Sequence, residues 1–157
     1  MRKVILIRHA KSTGGRYDRH LFPPEGAPLS DDGVEDAKKL RGELQLLDLD
    51  VSEKVAVSQL VRTQQTAMHA GLLNQRSYET LNEVNSGLEP EDLEELISKK
   101  EVPEKAIDAA SKLLNNPPKE NIWVTHGMLI AAIGEVLGIE KDKLFIPDMA
   151  SLTEIEI

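Results

Sequence analysis

The run Val4-Ile5-Leu6-Ile7 stops abruptly at Arg8-His9-Ala10-Lys11-Ser12-Thr13, and no other stretch constrains the fold as tightly. An unbroken apolar run rich in β-branched residues reads as a strand buried on both faces. Such strands belong to parallel sheets sandwiched between helices, and those sheets bind ligands beyond the carboxyl ends of their strands. An imidazole beside a guanidinium therefore stands where this architecture keeps its chemistry. Alone, the pair also reads as a strand followed by a solvated basic loop, so the rest of the chain has to decide.

The segments that follow alternate in the expected way. Ser30 reads as an N-cap, Asp31 and Asp32 suit the positive end of a helix dipole, and Val34, Ala37, Leu40, Leu44 and Leu47 recur at helical spacing. Val55-Ala56-Val57 reads as a short strand, Ser58 to about Leu73 as a helix, and Tyr78 to Leu81 as a third strand. Pro90 and Pro103 open two further helices, Ile122 to Thr125 is a strong strand, and Met128 to Leu137 is a helix closed by Gly138. Thr153, Ile155 and Ile157 alternate as a final edge strand. The prediction is one α/β domain over residues 1–157, a mostly parallel sheet flanked by helices on both faces.

This arrangement sends three groups to one sheet edge: Arg8-His9 after the first strand, Ser58 and Arg62 after the second, and His126-Gly127 after the strand at Ile122. The loop from Gly14 to Pro28, punctuated by Gly and Pro, has the character of a substrate-facing segment. A net charge of -8 argues against a nucleic-acid binder that works by general basicity, so any anion site must be a local positive pocket. The absence of cysteine excludes disulfides, thiolate nucleophiles and Cys-ligated zinc. Behind Arg2 and Lys3 the apolar run is too short for a signal-peptide core or a membrane span, so a cytoplasmic protein without membrane association is expected.

These motifs, in this order, resemble the histidine phosphatase superfamily with its phosphoglycerate mutase-like fold. Arg8-His9 is similar to the family's Arg-His-Gly signature, with Ala10 in place of the glycine. Pro28-Leu29-Ser30 with Gly33 and Ala37 resembles its helix start, and Ser58-x-Leu60-x-Arg62-x-x-x-Thr66-Ala67 its second arginine motif. Leu81-x-Glu83 with Gly87 resembles the segment carrying the acid, although Val84-Asn85-Ser86 departs from the family's Trp-Glu-Gly; Val124-Thr125-His126-Gly127 is similar to the second histidine motif.

Phosphoryl transfer develops charge on equatorial oxygens, and arginine offers a rigid bidentate donor for it. Arg8 and Arg62 fit that role, with His9 as nucleophile, Glu83 as acid and base, and His126 with the Gly127 amide as donors to the phosphoryl oxygens. Ser12, Thr13 and Arg16 are candidate substrate contacts; Lys11 and Arg19 read as solvated surface charge. The expected activity is a metal- and cofactor-independent phosphatase acting on a phosphorylated small molecule or phosphoprotein through phosphohistidine. Divalent cations suit the site poorly, because Arg8 and Arg62 repel them. A phosphohistidine phosphatase, a mutase-type phosphotransferase and a non-catalytic phosphate-binding module stay open as alternatives, as does the oligomeric state.

Overall fold

The computed structural model describes residues 2–14, 23–49 and 52–157. In chain order the elements are β1 (Lys3–Arg8), α1 (Asp31–Leu46), β2 (Lys54–Val57), α2 (Val61–His69), β3 (Asn74–Ser77), α3 (Pro90–Ser98), α4 (Glu104–Asn115), β4 (Ile122–Thr125), α5 (Gly127–Leu137), α6 (Lys141–Leu144) and β5 (Leu152–Glu156). They form the three-layer α/β fold with a sheet ordered β3-β2-β4-β1-β5. Within that sheet every pairing is parallel except β1 with β5, so the last strand is an antiparallel edge.

Side-chain alternation along the strands sorts the core into two layers. Val4 and Leu6 of β1, Ala56 of β2 and Trp123 of β4 pack against Ala106, Ala110 and Leu113 of α4 and Leu129, Ile130 and Ile133 of α5. Ile7, Val55, Val57, Ile122 and Val124 face the other way, onto Leu40 and Leu44 of α1 and Ala67 of α2. Each large apolar side chain among these contributes about 1.5–3 kcal/mol on full burial, so the central strands carry most of the cohesion. Trp123 is fully buried, and its indole N–H is satisfied by the Glu120 carbonyl at 2.7 Å. Among the described residues, no helix is long and apolar enough to cross a membrane.

Two expectations shift. The third strand lies at Asn74–Ser77, and the residues expected to form it, Tyr78 to Leu81, run into a 3₁₀ turn at Glu79–Leu81. This strand is the sheet edge beside β2 and its side chains are mostly exposed, so it has no apolar signature; the apolar signal came from Leu81, which the turn buries in the core. The second helix begins at Val61 rather than Ser58, because Ser58 to Leu60 form a turn. There the Ser58 hydroxyl accepts from the Leu60 amide and the Thr63 hydroxyl from the Ser58 amide. It also stops at His69, before Leu73.

Candidate active site

With β2, β4 and β1 adjacent and parallel, Ser58, His126 and His9 leave the sheet at one edge. Arg8 lies opposite Thr125 in register, and the His9 amide continues the ladder by donating to the Thr125 carbonyl at 3.1 Å. His9 is 8% exposed, and its Nδ1 lies 2.7 Å from the Ala10 carbonyl oxygen. A carbonyl only accepts, so Nδ1 carries the proton and Nε2 keeps its lone pair. Burial lowers the His9 pKa from 6.5 to about 4, with the positive charges of Arg62 and Arg8 acting in the same sense against the bond to Ala10. The ring is therefore neutral at physiological pH.

The peptide that orients this ring is itself held. The Ala10 amide donates to Thr66 Oγ1 at 2.9 Å, and Thr66 in turn donates to the Arg62 carbonyl at 2.7 Å, joining the β1 exit to α2. Ala10 is fully buried against Leu29 and Ala37, so its methyl group fills space that a glycine would leave open. Helix α1 comes closer still at Gly33, where a Cβ would collide with the Lys11 carbonyl oxygen. Only glycine permits that approach. The Ser30 side chain caps the helix at the same point, accepting from the Gly33 amide at 3.1 Å.

The two arginines are fixed from opposite sides. Arg8 Nη1 donates to the Pro147 carbonyl at 2.7 Å, and the guanidinium lies over the start of α5, where a Cβ on Gly127 would be 2.8 Å from its Nε. Pro147 belongs to a strap before β5 that the Ala150 amide ties back to the Arg8 carbonyl at 3.1 Å. Within this strap Ile146 has φ 42, a conformation costing a β-branched residue on the order of 1–3 kcal/mol. Arg62, from the first turn of α2, donates to Glu83 Oε2 at 2.5 Å. Glu83 is positioned by its neighbours: Asn82 and Gln59 exchange two hydrogen bonds of 2.8 Å, and Thr125 Oγ1 donates to the Leu81 carbonyl at 2.7 Å.

His126 lies beneath His9, with ring centroids 5.1 Å apart and planes inclined at 59°. Its Nε2 is 3.0 Å from Ser58 Oγ, which is 2.8 Å from Thr63 Oγ1, so a buried hydroxyl pair sets the ring's orientation.

Above these groups opens a cleft of about 610 Å³ lined by Arg8, His9, Arg62, Glu83, Ser12 and Gly127 among others. His126 is not on its wall and is 1% exposed. Thr13 is exposed and does not line the cleft, and Arg16 lies outside the described residues. Asn82, Ile146, Pro147 and Met149 carry no local sequence signal for their places at the site, and Thr66, which stands in a motif, holds the Ala10 amide. Among the described residues, no group of three or more His, Asp or Glu side chains is placed to hold a metal ion.

The sequence matches the histidine phosphatase superfamily (branch 1) over residues 4–101. The chain belongs to that superfamily, and its activity is accordingly of the phosphatase or mutase type. In fold it is similar to a phosphoglycerate mutase from Thermus thermophilus, with 22% identity, a TM-score of 0.70 and coverage of 98% of this chain and 92% of that one. It is also similar to the Mycobacterium tuberculosis open reading frame product Rv3214, with 22% identity, a TM-score of 0.66 and coverage of 99% and 91%. No curated protein gives a significant match.

Proposed function

We propose that the chain is a metal-independent phosphatase that hydrolyses a phosphomonoester through a phosphohistidine on His9. The observation that carries this reading is a neutral His9 whose Nδ1–H is tied to the Ala10 carbonyl, which leaves the Nε2 lone pair for attack, with Arg8 and Arg62 beside it on the same cleft. Nε2 attacks phosphorus, and the bond to the leaving oxygen breaks. Arg8 and Arg62 bind the equatorial oxygens and offset their growing charge. An incoming phosphoryl group takes over the Arg62 fork from Glu83; the released carboxylate takes up the proton of the bound phosphomonoester monoanion and passes it to the leaving oxygen. In the second step Glu83 takes a proton from water, the water oxygen bonds to phosphorus, and the N–P bond breaks to restore His9 and release phosphate. The Gly127 amide at the start of α5 contributes a donor from the floor of the site, while the buried His126 ring packs against His9 behind it.

Hydrolysis is favoured over mutase chemistry by the short connection after the acid. Only Leu88 and Glu89 separate Gly87 from α3, which leaves little chain for a segment that would close over substrate and protect the phosphoenzyme from water. Turnover of p-nitrophenyl phosphate, unchanged in EDTA, is the expected result; binding of phosphate without turnover would make the chain a phosphate-binding module. Glu83→Gln should depress hydrolysis of alkyl phosphates far more than of aryl phosphates, whose leaving groups need less acid help. Equal losses on both would remove the acid role.

The start Arg8-His9-Ala10-Lys11-Ser12 supports a second reading, a phosphohistidine phosphatase. In that case Glu83→Gln would leave dephosphorylation of a phosphohistidine substrate almost untouched.

A further inference from the structure

Among the described residues lining the cleft, the positive charges are Arg8 and Arg62, grouped with His9 and Glu83. Beside them the wall carries the apolar side chains of Leu60, Val84, Leu93, Met128, Ile146 and Met149. Two of these are apolar side chains that the core does not need: Met149 is 46% exposed, and Leu93 comes from α3, a helix with no fully buried residue. Ile146 is held in its strained conformation by the same strap that fixes Arg8 through the Pro147 carbonyl. Strain of this kind persists where surrounding structure enforces it, and here it places an aliphatic group next to the phosphate-binding arginine. The two methionines add a surface that adapts to varied apolar shapes. At about 610 Å³, the cleft has the size of pockets that enclose small organic molecules, so it has room for much more than a phosphoryl group.

We infer that the substrate is a phosphomonoester whose leaving group is an extended apolar or aromatic body without a second anionic group, seated on the wall formed by Ile146, Met149, Val84 and Leu93. This rests on the phosphatase reading above and names its substrate class. Among the described lining residues the two cations are engaged by the phosphoryl group, so a second carboxylate or phosphate seated on this aliphatic surface would lose its hydration without compensation from them.

The test is a series of primary alkyl phosphates, ethyl, n-butyl and n-hexyl, together with the hexyl ester carrying a terminal carboxylate. Their leaving alcohols are chemically alike, so differences in kcat/KM report contacts with the wall. A half-buried methylene is worth about a twofold gain, which predicts a rise of at least about tenfold from ethyl to hexyl. The terminal carboxylate should abolish that rise. Met149→Ser and Leu93→Ser should each lower the hexyl-to-ethyl ratio by about threefold or more. Equal kcat/KM for ethyl and hexyl phosphate, a preference for the carboxylate-bearing ester, or a ratio unchanged in both variants would overturn the inference while leaving a phosphatase. If neither these esters nor p-nitrophenyl phosphate is turned over, the phosphatase reading itself falls, and this inference with it; turnover of p-nitrophenyl phosphate alone overturns only the inference.

Discussion

Burying a neutral imidazole under two arginines has a consequence for stability that can be worked through in full. An unfolded histidine titrates near 6.5, whereas His9 in the folded chain titrates at about 4. Between these values the unfolded chain binds the extra proton, so stability rises with pH across that window. The contribution is therefore fully present above pH 6.5 and is lost as pH falls toward 4. Integration from about pH 7 to about pH 4.5 gives a loss of about 2–3 kcal/mol from His9 alone, and its burial means that little of this is screened. Urea titrations of wild type and His9→Gln at several pH values isolate the effect, because the other three histidines and the carboxylates are common to both proteins. The wild type should lose about 2 kcal/mol more than the variant between those two pH values. Parallel stability curves would show that His9 is not held neutral by burial, and the basis for its nucleophilicity would go with it.

Two further substitutions probe how the site is held. Thr66→Val keeps the shape but leaves the buried Ala10 amide without its acceptor, so denaturation should show a loss of about 1–3 kcal/mol, accompanied by a lower kcat as the Ala10 carbonyl that orients His9 shifts. Gly127→Ala introduces a Cβ 2.8 Å from Arg8 Nε and 3.1 Å from Ile146 Cγ2, which displaces the guanidinium and should reduce kcat/KM by about 10–100-fold with a much smaller change in Tm. Unchanged kinetics in Gly127→Ala would mean that the position of Arg8 is unimportant for turnover.

The strand ends were legible because chemistry there interrupts an otherwise apolar pattern: Arg8-His9 after Val4–Ile7 and His126 after Ile122–Thr125 stand out in sequence as they do in space. The α1 start was legible through Ser30 and its following acids, since capping is a local interaction. What remained hidden depends on contacts that sequence distance conceals. Arg62 and Glu83 were each picked out, yet their direct pairing across 21 residues follows from where the Asn82–Gln59 and Thr125–Leu81 bonds set the intervening turn. Strand β3 was misplaced because an exposed edge strand of Asn, Gln, Arg and Ser carries no hydrophobic period. The Ile146–Met149 wall was missed for a similar reason: nothing local announces a strained strap whose conformation is imposed by Arg8 and the end of β1.

A phosphoryl group on His9 can be caught directly. Rapid mixing with a radiolabelled phosphomonoester, quenching in denaturant and mapping of the labelled peptide should give an enzyme-bound phosphate that is acid-labile and alkali-stable and resides on His9. The same label persisting in His9→Ala, or full turnover by that variant, would contradict the mechanism.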